Sequence, residues 1–221
     1  MSLLSLSRIS KTAAWLGLVF LVGCAAPPKP DQSAFRNSNP KSILVLPPVN
    51  LSTDIRGSLS FLSTVTYPLS EAGYYVFPVA MVEATFKENG LPLPDQMHEA
   101  PLTKLQSIFG TDAVLYLTLE KYGSTYVVLD SQTIVTAKAR LVDARTGTLL
   151  WQGRASASDA EGRDNSNNGL MGVLLNSVLH QLASNIGNPG YRLSHVTSTR
   201  LLTPQPGGLL FGSRSPNYGK D

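Results

Sequence analysis

The stretch Ser42-Ile43-Leu44-Val45-Leu46-Pro47-Pro48 is the clearest indication of the fold class. An apolar run of this length, ended by two prolines, is typical of a strand that is buried on both faces of a sheet. Strands of this kind are found mainly in parallel sheets, where the connecting helices cover both faces. We therefore expect an α/β domain whose first strand begins at residue 42.

Helical and strand patterns alternate after this first strand, which is the order expected of a parallel sheet with crossover helices. Pro68 lies inside the first predicted helix, and we expect it to kink or divide that helix because proline lacks the backbone N–H. The predicted elements are, in chain order, a helix over 55–72, a strand over 74–77, helices over 79–89 and 101–110, and a strand over 113–119.

The pattern changes to strict alternation in the segments 132–142 and 149–157, which flank a turn that contains Asp143 and Gly147. Such alternation predicts an antiparallel hairpin with one covered face and one wetter face. An apolar stripe over 170–186 predicts a helix that covers the sheet. The predicted fold is therefore α/β, with a mixed sheet of about five strands, crossover helices, an antiparallel C-terminal hairpin and a covering C-terminal helix. The wetter face of the hairpin carries Lys138, Arg140, Gln152 and Arg154.

Residues 1–23 have the features of a secretory signal peptide. Arg8 and Lys11 precede about ten apolar residues, a run shorter than the roughly 20 residues that span a bilayer. The run ends in Leu21-Val22-Gly23-Cys24, which resembles the bacterial lipobox. The resemblance implies cleavage between Gly23 and Cys24 and attachment of acyl chains, palmitate among them, to Cys24. An ordinary signal peptide or anchor helix with a chance cysteine is the alternative.

The residue after Cys24 bears on the destination of the protein. In enteric-type sorting an Asp at that position retains a lipoprotein in the inner membrane, and Ala25 stands there instead. The resemblance therefore implies an outer-membrane lipoprotein that faces the periplasm, and exposure at the cell surface stays open. We predict a disordered, proline-rich tether over 24–41, the α/β domain over 42–187 and an irregular tail over 188–221.

Composition and charge exclude several classes of function. The chain has 221 residues, and from Cys24 onward 16 Lys and Arg stand against 15 Asp and Glu. No basic stripe that would suit a nucleic acid is present. The single cysteine rules out an intrachain disulfide and a cysteine-based zinc site, and the three histidines are scattered. We predict neither a metal nor a cofactor.

The acidic and histidine residues do not form a recognisable catalytic set. No Gly-x-Ser-x-Gly motif lies between a strand and a helix, as a serine hydrolase requires. Asp143 is best explained as a turn former whose side chain bonds the backbone. We predict no catalytic residues, and an envelope hydrolase with an unrecognised site is the enzymatic alternative. The acid–base candidates that such an enzyme could use are Asp130, Asp143, Asp159, His98, His180 and His195.

Two groups of apolar residues are candidates for binding a partner. Tyr116 and Tyr126 could mark an exposed recognition face beside the hairpin. Leu209, Leu210 and Phe211 form an apolar cluster in an otherwise polar tail. Such a cluster either packs on the domain or docks on a partner, and both possibilities stay open here.

Three stretches together resemble known envelope proteins: 43–48, 110–115 and 141–151. Their layout is similar to the periplasmic domain of the CsgG curli-secretion lipoprotein, the N-terminal domain of TolB and the LpoB-type activators of penicillin-binding proteins. The stretches 73–79 and 207–212 more narrowly resemble the lipoprotein family catalogued as domain of unknown function seven hundred and ninety-nine. That resemblance implies a TolB-like α/β domain, a CsgG-like lipoprotein encoded nearby, and no catalytic residues.

The resulting hypothesis is an outer-membrane lipoprotein that acts as a non-catalytic interaction module in an envelope assembly. Its expected partner is a CsgG-like lipoprotein, and the lipid on Cys24 and the tether would hold it near that partner. An LpoB-like regulator of cell-wall synthesis is the alternative within the same class. The sequence makes no prediction about the oligomeric state.

Overall fold

The computed structural model describes residues 31–127, 130–162 and 189–220. Within these ranges six strands form one mixed sheet, and helices lie on both of its faces. The strands are β1 (Ser42–Val45), β2 (Val49–Asn50), β3 (Tyr75–Val76), β4 (Ala113–Val127), β5 (Asp130–Asp143) and β6 (Leu149–Ser158). The helices are α1 (Ser33–Ser38), α2 (Gly57–Glu71), α3 (Val79–Glu88), α4 (Pro94–His98), α5 (Leu102–Phe109) and α6 (Pro189–Leu202).

The sheet combines a parallel half with an antiparallel half. Its strand order is β3-β1-β4-β5-β6, with β2 also paired to β4. β1 runs parallel to both β3 and β4, and Ile43 lies opposite Ala113. β4, β5 and β6 form an antiparallel meander. The predicted α/β class and mixed sheet are confirmed, and the apolar residues 43–46 are fully buried, as a central strand requires.

Strand β4 is longer than the sequence pattern indicated. It continues past Leu119 to Val127 and pairs along this whole length with β5. The register shifts between Leu119 and Lys121, which marks a β-bulge. Because a bulge inserts one extra residue, Leu119 and Tyr122 face the same core although they are three positions apart. The prediction that the strand ends at Leu119 was wrong, because the bulge interrupts the alternation just after that residue.

Two helical layers cover the sheet unequally. On one face, α2 and α6 pack over β1, β4, β5 and β6 and enclose the larger apolar cluster, which contains Phe61, Leu117, Leu141 and Trp151. On the other face, a smaller cluster joins Leu44 of β1 and the first residues of β4 to residues of α3, α4 and α5, among them Val82. The rest of that second face is left without a helix in the described part of the chain.

Helix α6 corrects the predicted irregular tail over 188–221. Residues 189–202 are helical and bury Leu193, Val196 and Leu202 together with the polar residues Ser194 and Ser198. The helix escaped prediction because much of its buried face consists of small hydroxyl residues, whose hydroxyls bond nearby carbonyls. The helix predicted over 170–186 lies outside the described residues.

Helix α1 corrects the predicted disordered tether over 24–41. Phe35 is buried in the larger cluster, and the helix ends at Asn39, which adopts the left-handed conformation with φ 43°. Ser38 Oγ donates a hydrogen bond to Asp143 Oδ2 at 2.5 Å. The sequence pattern did not predict this helix, because the segment is rich in proline and contains only one aromatic residue. Phe35 and the helix-ending Asn39 are nevertheless enough to dock it on the domain.

The C-terminal segment packs on the domain beside the end of α2. Leu209 and Leu210 are buried in the larger cluster, and the Gly212 N–H donates to the Ala72 carbonyl at 2.8 Å. The Tyr74 hydroxyl donates to the Leu210 carbonyl at 2.6 Å. The idea that Leu209 and Leu210 dock on a partner is therefore wrong, because their side chains already fill the core.

Candidate functional site: the open face of the meander

The uncovered part of the sheet carries a regular array of polar side chains. In one row across the three strands, Tyr116, Arg140 and Gln152 are register partners, and in the next row Thr118, Lys138 and Arg154 are partners. Residues two apart on a strand share a face. We call this surface the open face. It consists of Tyr116, Thr118 and Glu120 on β4, Lys138 and Arg140 on β5, and Gln152 and Arg154 on β6.

The floor of the open face is made by residues whose side chains point to the other side of the sheet. Ala139 is buried in the larger cluster, and the space beneath Gly153 is occupied by the indole of Trp151. A Cβ at position 153 would collide with that indole, so only glycine fits there. Above this floor lies a depression of about 480 Å³. The depression is lined by His98, Tyr116, Thr118, Lys138, Ala139, Arg140, Gln152, Gly153 and Arg154.

One carboxylate forms ion pairs with two of the cations on this face. Glu120 Oε1 lies 2.5 Å from Lys138 Nζ, and Glu120 Oε2 accepts a hydrogen bond of 2.8 Å from Arg154 Nε. The hydrogen bonds from Lys138 and then Arg154 lower the pKa of Glu120 below its usual value. Glu120 is therefore ionised at neutral pH, and both of its oxygens are engaged.

Arg140 is the third cation, and it has a different environment. Its guanidinium carbon lies 5.4 Å from the centre of the Tyr116 ring, within the range of a cation–π contact. Within the described residues, no carboxylate comes within ion-pair distance of Arg140. Its side chain is exposed. The open face therefore presents one guanidinium that lacks a carboxylate among the described residues.

His98 forms the wall at one end of the depression. It is the last residue of α4, and its ring stacks edge-on against Tyr116 with centroids 5.3 Å apart. Burial lowers the pKa of His98, and the hydrogen bond to the Pro47 carbonyl and the charge of Asp95 offset this only in part. Because a carbonyl oxygen only accepts, Nε2 of His98 carries the hydrogen of its 2.9 Å bond to Pro47. Burial raises the pKa of Tyr116, so its hydroxyl stays protonated.

The structure separates the residues that the sequence suggested as sites. Tyr116 lies on the open face, whereas Tyr126 pairs with Ser131 near the far end of β4 and its side chain lies outside the described residues. Phe211 is half-buried at a small depression that Phe35 also lines. Cys24 and Gly23 precede the described residues, so the lipidation site stays a prediction.

Two of the acid–base candidates, Asp143 and Asp159, bind backbone N–H groups. Asp143 Oδ1 accepts hydrogen bonds of 2.9 Å from the N–H groups of Arg145 and Thr146, as expected of a turn former. Asp159 accepts the N–H of Thr133. His195 lies on α6, while His180 and the side chain of Asp130 are outside the described residues. In the described part of the chain, no His, Cys, Asp and Glu residues gather in a way that could hold a metal ion.

The sequence offered His98 only as an acid–base candidate and did not predict its place beside Tyr116. A pattern of apolar periodicity does not show that α4 ends against Pro47. The cations of the hairpin were recognised as the wetter face. Their convergence on a depression became visible only once β4 extended the hairpin to three strands.

Comparison with known proteins places the chain in a family. The family model described as "Putative lipoprotein GNA1162-like" matches residues 30–214. The chain belongs to the GNA1162-like lipoprotein family. A lipoprotein of this family from Neisseria meningitidis serogroup B, NMB1124/NMB1162, is 50% identical to this chain over 185 residues, which cover 83% of this chain and 85% of that protein.

Solved structures include a member of the same family. The crystal structure of lipoprotein GNA1162 from Neisseria meningitidis is 52% identical, with a TM-score of 0.54, and the match covers 66% of this chain and 100% of that one. The C-terminal domain of LpoB from Salmonella enterica is 16% identical, with a TM-score of 0.40, and the match covers 54% of this chain and 84% of that one. The expected kinship with a lipoprotein family is confirmed, whereas the family name predicted from sequence and the relations to CsgG and TolB stay predictions.

Within the described ranges, none of the helices combines the length and the apolar character that a bilayer-crossing segment needs.

Proposed function

We propose that this GNA1162-like chain is a lipid-anchored interaction module of the bacterial cell envelope that binds a protein partner through its open face. The observation that carries the proposal is the open face itself. A sheet face without a helical cover normally exposes scattered polar groups, but here an aromatic ring, three cations and an amide surround one depression. Aromatic and arginine side chains are enriched in the residues that dominate protein interfaces.

Anchoring rests on the lipobox-like run that ends in Cys24 and on membership of a lipoprotein family. Acyl chains on Cys24 would hold the protein at the membrane, with a gain of roughly 0.8 kcal/mol for each buried methylene group. Ala25 favours the outer membrane as its location, with the domain facing the periplasm.

Helix α1 shortens the expected reach of the anchor. Because α1 docks through Phe35, we propose a tether of the six residues 25–30 in place of the whole of 25–41. At about 3.3 Å per residue, six residues extend by roughly 20 Å. The domain is therefore held close to the bilayer, and its partner is expected to be anchored in the same membrane. A CsgG-like lipoprotein is our preferred partner.

A binding role without catalysis is supported by the hydrogen-bond and ion-pair partners of three carboxylates. Glu120 is occupied by two cations, and Asp143 and Asp159 hold backbone N–H groups. These carboxylates are therefore poorly suited to act as bases.

Cys24→Ser tests the anchor. The variant should accumulate as an unprocessed precursor or leave the membrane fraction, while Ser33→Ala, near the start of the domain, should mature normally. Full processing and unchanged membrane fractionation of Cys24→Ser would refute the lipoprotein proposal.

Crosslinking tests the partner. A short crosslinker applied to intact cells, followed by purification under denaturing conditions, should recover a CsgG-like lipoprotein. Recovery of a penicillin-binding protein in its place would support the LpoB-like alternative. Gln152→Trp, which places an indole at the exposed rim of the depression, should abolish the crosslink.

A further inference from the structure

We infer that the open face recognises a carboxylate of an acidic protein segment, and that Arg140 is the group that binds it. This inference rests on the proposed function, because it names the chemistry of the partner at the same site. It begins with the balance of charge. Lys138, Arg140 and Arg154 supply three positive charges, whereas Glu120 supplies one negative charge.

The ion pairs of Glu120 distribute this excess unevenly. Lys138 and Arg154 already contact the two oxygens of Glu120, at 2.5 Å and 2.8 Å. Arg140 contacts the face of the Tyr116 ring and has no carboxylate partner among the described residues. A guanidinium offers planar, paired N–H donors that match the two oxygens of a carboxylate. The unfilled binding capacity of the face is therefore centred on Arg140.

The contact with the Tyr116 ring orients Arg140 for binding a carboxylate. The Tyr116 ring is fixed between the His98 ring, 5.3 Å away, and the Arg140 guanidinium, 5.4 Å away. A cation held over an aromatic ring keeps its N–H edges free for hydrogen bonds in the plane of the guanidinium. Because the side chain is already oriented, less conformational entropy is lost when a ligand binds.

The remaining groups favour a peptide over a phosphate-rich ligand. Gln152, in the same row as Arg140, has both a donor and an acceptor, which suits the backbone of an extended peptide. Thr118 adds a hydroxyl at the floor of the depression. Glu120 is ionised beside Lys138 and Arg154, so both of those cations already contact a carboxylate and Arg140 is left as the group for one further carboxylate. A single carboxylate within a peptide fits this combination of charges and neutral groups.

The test uses the full-length protein in its own cells, with Leu149 replaced by the photo-crosslinking amino acid p-benzoylphenylalanine. Leu149 is exposed and pairs with Val142, two residues from Arg140, but it does not line the depression. Mass spectrometry then identifies the crosslinked segment. We expect a protein segment with an Asp or Glu within about three residues of the adduct, and a loss of adduct of at least tenfold in Arg140→Glu and in Arg140→Gln. Replacing the partner's acidic residue by Arg should restore the adduct in Arg140→Glu.

Lys104→Glu is the matched control, since it makes the same change of charge at an exposed position on α5 outside the depression. It should leave the adduct unchanged, and thermal melts should show that the Arg140 variants are folded. An adduct with a protein that persists in Arg140→Glu would overturn the inference and leave the proposed function standing. No protein adduct at position 149, or an adduct with an anionic lipid, would overturn both.

Discussion

The hydroxyl of Ser198 on α6 shares its one hydrogen between the His195 carbonyl, at 3.0 Å, and the carbonyl oxygen of Thr64 on α2, at 3.2 Å. In a regular helix that oxygen would accept the N–H of the residue four positions later, which here is Pro68. Proline has no N–H, so the carbonyl would otherwise be left without its helical donor. Pro68 therefore does not divide α2, which runs unbroken from Gly57 to Glu71, and the second helix supplies the missing donor.

Removing this hydroxyl should destabilise the fold. Ser198→Ala leaves the buried Thr64 carbonyl without a donor, and we expect the free energy of unfolding to fall by about 1–3 kcal/mol. Urea denaturation of the purified protein measures the change. Ser63→Ala, which removes an exposed hydroxyl from α2, should change stability by less than about 0.5 kcal/mol.

A double variant tests the mechanism. Pro68→Ala restores a backbone N–H that can donate to the Thr64 carbonyl, so it should recover part of the loss in the Ser198→Ala background. Comparing the four proteins gives a coupling energy, which we expect to be at least about 0.5 kcal/mol in favour of the double variant. Strictly additive effects would show that the two donors do not serve the same oxygen.

Leu209 should contribute to stability rather than to binding. Its side chain is fully buried in the larger cluster, and Leu209→Ala should lower the free energy of unfolding by about 2–5 kcal/mol. Ile108→Ala, at a largely exposed position, is the control and should have little effect. A normal melting profile for Leu209→Ala together with loss of partner binding would return the C-terminal cluster to the list of docking residues.

Phe35 should make helix α1 part of the folded domain. Phe35→Ala removes an aromatic ring from the core, and a loss of about 3–5 kcal/mol is expected. Arg36→Ala, at the next position and exposed, should be nearly neutral. Hydrogen exchange at residues 33–38 gives a second measurement, since Phe35→Ala should accelerate exchange there first. If Phe35→Ala is as stable as the unsubstituted protein, α1 belongs to the tether after all.

Asp143 should make stability depend on acidic pH. Burial tends to raise its pKa, but hydrogen bonds from Ser38, Thr146 and Arg145 outweigh burial and lower the pKa below 3.8. A carboxyl group whose pKa is lower in the folded state stabilises that state fully above its unfolded value, and this contribution is lost as the pH falls through the folded value. Asp143→Asn should therefore cost about 1–3 kcal/mol at pH 7.

The difference between Asp143→Asn and the unsubstituted protein should shrink below pH 3.8, the value at which Asp143 titrates in the unfolded chain. Denaturation curves at several pH values provide the measurement. Glu88→Gln, on an exposed position of α3, serves as the control. A difference that stays constant down to pH 2 would contradict the assigned role of the carboxylate.

Part of the candidate site could be predicted from sequence. Alternation along β5 and β6 placed Lys138, Arg140, Gln152 and Arg154 on one wetter face, because side chains two apart on a strand point the same way. Tyr116 was a candidate for the same reason. The contact of His98 with Tyr116 could not be predicted, because it depends on where the short helix α4 ends against Pro47.

Local sequence patterns were enough to predict the central strand, the antiparallel pairing of 132–142 with 149–157, and the turn at Asp143, since each depends on residues close together in the chain. Three-dimensional packing was needed to show that α1 and α6 belong to the domain and that Leu209 fills its core. Their local signals are weak: one aromatic ring, a face of small hydroxyl residues, and a short apolar cluster. Such segments are held by contacts with distant residues, such as that of Ser198 with Thr64, and the burial that stabilises them exists only when the whole sheet has formed.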